Sequence, residues 1–273
     1  WGYKQERVSA SSLVIQTFIV NYDMKNNTMC WHKDNNIDNN FYKDIYPVTD
    51  KQYAAIKEIY DREGTVSEEK ILEIVNDIQY KPDGWNPWYW RRSFEGVGYI
   101  GDKIDWKKEK AIYRAWANIL QKCYNPKVHK TRPYYKECTV SEEWKNFQNF
   151  KIWYKDYKGK VKQDLDKDIL FQGNKEYSPE TCVYTTHFIN TVFEDRGSKK
   201  LEETKEGKYK IFMMIMGEER DIGVFDTKEE CYEAFEKRKK EFIIKLAEKT
   251  KKKDKIPECQ YQAMINWEVK VKE

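Results

Sequence analysis

Lys208 to Phe225 reads KYKIFMMIMGEERDIGVF, and its spacing decides the class of fold. In an extended chain Tyr209, Ile211, Met213 and Ile215 fall on one face, and Phe212, Met214 and Met216 on the other with Lys210. Gly217-Glu218 joins two such strands. Thr227 then caps a long helix bearing Cys231, Phe235, Phe242, Ile243 and Leu246. Strands followed by a helix place the chain in the α+β class. Two apolar faces predict a sheet covered on both sides, by the chain's own core or by another protein. Methionine suits adaptable protein surfaces, so Phe212, Met214 and Met216 are candidate partner-binding residues. Residues 198–250 form this unit. Beyond it, the lysine cluster Lys249–Lys255 and Pro257 read as a basic linker, and Tyr261 to Val271 as a terminal strand, together covering 251–273.

Upstream, residues 1–80 read as a small α+β unit of a hairpin plus helices. Leu13 to Val20 and Thr28 to Trp31 are the expected hairpin strands, followed by an Asn/Asp-rich loop from Asp34 to Asn40. Thr49 to Gln52 has capping-box spacing before a helix that Gly64 ends. Thr65 to Glu68 repeats the pattern before Ile71, Leu72, Ile74, Val75 and Ile78. Residues 81–95 contain KPDGWNPWYW, a Pro- and Gly-marked connector whose Trp85, Trp88 and Trp90 predict packing against something, a partner included. Two aromatic-striped helices follow, from Glu109 to Cys123 and from Ser141 onward.

Composition narrows the functional classes. Across 273 residues, 50 Lys+Arg against 46 Asp+Glu give a net charge of +4, too mild for a wholly basic nucleic-acid binder. Aromatic residues at 15% argue against disorder. No apolar run reaches a membrane span, and Leu13 to Val20, with Gln16 and Thr17, lacks the pattern of a signal peptide. Six dispersed cysteines without a C-x-x-C pair predict reduced thiols in a cytoplasmic protein, with no metal site. Gly96 to Gly101 fits G-x-G-x-x-G, but a charged stretch replaces the helix that a dinucleotide site needs, so the glycines are expected in turns and no cofactor is expected.

An ordered series of motifs then appears. Gly96-Val97-Gly98 is followed by Tyr113-Arg114-Ala115-Trp116, Cys123-Tyr124 and Tyr135 to Val140. Next come Glu143 to Phe147, Leu165 to Leu170, Gly173-Asn174-Lys175, Tyr177 to Val183 and Asn190. In this order the chain resembles the phage-encoded HNH-related family that often carries a carboxy-terminal Apetala-type domain. The resemblance runs from Gly96 to Lys249. It implies a ββα-metal-type domain at 96–197 and an Apetala-like domain at 198–250, with 1–80 as an added assembly domain.

The resemblance also implies roles. An HNH site uses a His as general base and an Asp and a later His or Asn to hold a divalent metal against the phosphate. The alignment puts Asp166 and Asn190 at the ligand positions and Lys167 at the base position. A lysine beside a metal and a phosphate stays protonated, so the site reads as vestigial. His187 is the neighbouring residue able to substitute; otherwise it is an ordinary polar residue on its helix. Retained chemistry would make the chain a DNA-binding homing or nicking endonuclease. Lost chemistry fits a phage inhibitor. The size, the added domain and the missing base resemble phage inhibitors of Gabija defence, which implies a host nuclease/NTPase complex as partner. The expected protein is a homo-oligomer in the host cytoplasm, off the membrane, with nucleic acid left open as a further partner.

Overall fold

Capping residues and buried faces set the elements of the computed structural model, which describes residues 9–19, 21–156, 163–194, 198–254 and 256–271. The chain is α+β and divides into two compact units, residues 1–156 and 157–273. The boundary falls inside the segment 96–197, and the stretch 81–95 lies within the first unit.

In the first unit Ser9 accepts the Ser12 amide and opens α1 (Ala10–Phe18). The strand expected from Leu13 is therefore a helix; Val20 lies outside the described residues. Ser11 and Ile15, four apart, are buried, whereas Leu13 between them is 52% exposed. An alternating strand would have buried all three. The place beside β1 (Met29–His32) is instead taken by β2 (Ile45–Val48), antiparallel from Met29↔Val48 to His32↔Ile45. β-Branched residues fit a pleated surface only where one is offered. The Asn/Asp-rich stretch is a loop, folded on itself by Asx contacts such as the Asn36 amide to Asp34.

Thr49 and Gln52 form the expected capping box of α2 (Asp50–Glu63), and Gly64 closes it at φ +73°. Helix α3 (Glu68–Asn76) starts from Ser67, whose hydroxyl accepts the Lys70 amide, rather than from Thr65. Ile56, Ile71 and Ile74 bury against Trp31, which meets Tyr53 and Tyr60 edge-on at 5.5 and 5.9 Å. Further along come α4 (Trp106–Tyr124), α5 (Pro126–Thr131), the short β3 (Thr139–Val140) and α6 (Phe147–Asp156). Helix α6 starts at Phe147 rather than at Ser141, with Trp144 in a short 3-10 turn ahead of it. The aromatic stripe is core: Trp116, Trp144, Phe147 and Phe150 are buried, and Trp116 Nε1 donates to the Trp144 carbonyl at 2.7 Å. In the glycine motif Gly96 sits in a turn, which Gly98 closes by an antiparallel bridge to Phe94. A Cβ on Gly98 would lie 2.5 Å from Leu120 Cδ1, so the glycine is there for close packing.

The second unit begins with β4 (Gln163–Asp166), β5 (Glu176–Tyr177), β6 (Val183–Thr186) and α7 (His187–Phe193). Then follow β7 (Lys199–Glu203), β8 (Tyr209–Ile215) and β9 (Glu218–Phe225) in one antiparallel sheet, with α8 (Lys228–Asp254) and α9 (Glu258–Asn266). Met216 and Gly217, at φ +54° and +81°, make the two-residue turn between β8 and β9, one residue ahead of the expected Gly217-Glu218, because Glu218 already pairs with Ile215. Strand β7 was not anticipated; its alternating polar composition carries little signal. The terminal strand expected from Tyr261 is helical as far as Asn266. Gln260 and Met264, four apart, are both buried, and the Lys240 ammonium closes the helix end by donating to the Ile265 and Trp267 carbonyls. Of the expected basic linker, residues 251–254 continue α8, and Lys255 lies outside the described residues. Ile211, Met213 and Ile215 share one core with Cys231, Phe235 and Ile243 of α8 and with Val183, Ile189 and Val192.

Candidate functional site

Strands β4 and β6 pair antiparallel, with Asp164 opposite Thr185 and Asp166 opposite Val183. Directly opposed residues project to one face, so both carboxylates emerge on the same side. The chain leaves β6 into α7 through Thr186, whose hydroxyl accepts the Ile189 amide. The first turn of α7 then presents His187 and Asn190, three apart, to the strand.

Asp164 is the carboxylate they meet. His187 Nδ1 lies 2.6 Å from Asp164 Oδ2, and Asn190 Nδ2 donates to the same oxygen at 3.4 Å. The Asp164 hydrogen bond and charge raise the pKa of the exposed His187 imidazole. Asn190 Oδ1 and the Thr185 hydroxyl are buried in the same neighbourhood with no hydrogen-bond partner among the described residues. The group has the chemistry of an oriented imidazole, able to take or give a proton at its exposed face.

Asp166 is committed elsewhere. Its Oδ1 accepts the Asp168 and Ile169 amides at 2.8 and 2.7 Å, turning the chain as it leaves β4. Burial outweighs those bonds and pushes its pKa up to about 6. Lys167 is also structural. It is 7% exposed, and its ammonium donates to both Asp168 oxygens at 2.8 and 2.9 Å and to the Asn174 carbonyl at 2.6 Å. These contacts use all three of its donors. Asn174 returns bonds to the Lys167 and Glu176 carbonyls, which closes the turn.

The two residues of the implied ligand pair thus make separate contacts: Asn190 Nδ2 bonds to Asp164, and Asp166 Oδ1 to backbone amides. Among the described residues, no group of three or more His, Cys, Asp or Glu is placed to hold a metal ion. Sequence reading missed Asp164. The available signal was strand alternation, since Asp164 shares a face with Asp166 and lies nearer the helix that follows β6.

The expected partner-binding residues have different fates. Trp85 and Trp90 stack at 6.4 Å, Trp90 lies 5.4 Å from Tyr99, and both are half-buried. Trp88 alone of the three is bare, at 68% exposure, with the Arg91 guanidinium 4.7 Å from its ring centre. In the second unit Phe212 lies under the Lys200 and Lys210 side chains, at 5.5 and 4.8 Å. Those lysines pair with Glu202, Glu219 and Asp221, so a lattice of ion pairs covers the outer face of the sheet. Met214 is half-buried on that face, and Met216 is half-exposed at the turn.

No family model, curated protein or solved structure matches the chain. Among the described residues no helix is long and apolar enough to cross a membrane.

Proposed function

We propose that this chain is a phage-encoded, non-catalytic derivative of an HNH endonuclease that binds and inhibits a host defence nuclease complex of the Gabija type. The observation that carries this reading is Lys167. The residue at the general-base position is buried, and all three of its donors are held by Asp168 and Asn174. The β4–β6–α7 order of strand, strand and helix agrees with an HNH ancestry. A protein without a base can still obstruct, and the bare Trp88 with its stacked Arg91 has the composition of a binding hot spot. In this reading residues 1–80 assemble copies of the chain in the host cytoplasm, and the bulky oligomer blocks the DNA path of its target.

The test is a titration of the full-length protein against a purified defence nuclease complex of this type. Inhibition should be stoichiometric, Trp88→Ala should weaken it at least tenfold, and Asn190→Ala should leave it intact. Failure to inhibit, or inhibition indifferent to Trp88, overturns the reading.

A second reading rests on the Asp164–His187 pair. A His oriented by a carboxylate is a competent general base, which favours a nicking endonuclease whose base has moved from the strand to the helix. Plasmid nicking by the purified protein, lost in His187→Ala and kept in Lys167→Gln, would establish it. The inhibitor reading expects no nicking by either.

A further inference from the structure

On the side of the sheet that faces α8, strand β9 carries a bulge. Ile211 pairs with Gly223 and Phe212 with Asp221, which leaves Ile222 without an opposite residue. A bulge bends the strand and re-aims its side chains. Here it opens a cavity of about 140 Å³ between β9 and α8. Met213, Ile222 and Phe242 form its apolar wall, and its charged groups are Arg220, Asp221, Arg238, Glu241 and Lys245. The helix contributions at 238, 241, 242 and 245 follow the spacing of one helical face.

The charges do not cancel. Asp221 is drawn to Lys210 at 2.7 Å, and Glu241 pairs with Arg238 at 3.4 Å. Arg220 lies over the Phe242 ring at 5.2 Å and, like Lys245, has no carboxylate partner among the described residues. Two uncompensated cations therefore line a small cavity with an apolar wall. An apolar wall strengthens a charge-assisted contact, and a guanidinium presents parallel donors that match a phosphoryl group.

We propose that this cavity binds a phosphate group as its dianion. Two unpaired positive charges match the charge of a phosphomonoester above its second pKa, near 6. The volume admits a phosphoryl group and leaves the remainder of a larger ligand outside. The shared chemistry has two sources, a small phosphoester or a terminal phosphate on a nucleic-acid strand. This site is independent of Asp164 and His187 and of the inhibitor reading.

The experiment titrates inorganic phosphate into the full-length protein by calorimetry at pH 7.5. Arg220→Gln and Lys245→Gln should each weaken binding about tenfold. Lys252→Gln, in the lysine cluster of α8, serves as the control and should leave binding unchanged. These substitutions are at exposed positions, and circular dichroism checks that the fold is kept. A labelled DNA strand with a 5′-phosphate, followed by anisotropy, separates the two sources. Loss of strand binding in the same two variants assigns the phosphate to nucleic acid. Strand binding unaffected by them, with phosphate binding still lost, assigns it to a small phosphoester. Absence of phosphate binding by the wild type overturns the proposal. So does equal loss in Lys252→Gln, or full binding by Arg220→Gln and Lys245→Gln.

Discussion

Asp164 and Asp166 stand two residues apart on one face of β4, yet their carboxylates serve different ends. Asp166 accepts two backbone amides and anchors the turn that Lys167 and Asn174 close. Asp164 meets the imidazole of His187 and the amide of Asn190 at the opening of α7. The first region is consumed by its own polar groups. In the second, the imidazole remains exposed to solvent. A carboxylate at a motif position thus reports chemistry only after its backbone surroundings have taken what they need.

The sharpest way to break this contrast is to remove the cation of the closed region. Lys167→Ala leaves the half-exposed Asp168 carboxylate and the Asn174 carbonyl without their donor, and an acceptor left unpaired inside a turn is costly. We expect a destabilisation of about 2 kcal/mol in urea denaturation. A loss within experimental error would mean that the turn holds without it and that Lys167 is free for other work.

A smaller effect is expected at Asp166. Its folded pKa is raised to about 6 from an ordinary 3.8, so the folded chain binds that proton more tightly than the unfolded chain does. The contribution is full below about pH 3.8 and is lost as pH rises through about 6. Asp166→Asn keeps an acceptor for the two amides and removes the titration. The variant should be more stable than wild type by about 1–2 kcal/mol at pH 7.5, with a flatter profile between pH 4 and 7. A variant less stable than wild type at pH 7.5 would show that the ionised carboxylate is the better acceptor, and that burial is not the dominant cause.

The smallest expected effect belongs to the open region. Asp164 raises the His187 pKa through a hydrogen bond and its charge. In Asp164→Asn the imidazole midpoint, followed by proton NMR, should fall toward the ordinary histidine value. Any stability linked to this pair runs in the same sense as that of Asp166, at higher pH. It is present below the unfolded pKa of His187 and lost as pH rises through the raised one. An unchanged midpoint would dissolve the pair as a chemical unit.

Much of the architecture was legible from local chemistry. Thr49, Gln52 and Gly64 bracket α2 because capping needs only a few neighbouring residues. The aromatic stripes of α4 and α6 and the β8–β9 turn have similarly short-range signals. Leu13 to Phe18 misled because its β-branched residues suit a strand, while Met29–His32 pairs with Ile45–Val48 instead. Tyr261 misled because the burial of Gln260 and Met264 on one helical face depends on what α9 packs against.

The candidate site divides the same way. Sequence alone determined the α+β class, the caps, and the presence of Asp166, Lys167, His187 and Asn190 within one short span. Only the tertiary structure decided which of them meet. The β4–β6 register sets Asp164 opposite Thr185 and so beside α7. The turn after β4 takes up Asp166 and Lys167 before either can face a ligand. The physical reason is that backbone amides and carbonyls in a buried turn must find partners. Which side chains they recruit is settled by distances that no linear motif contains.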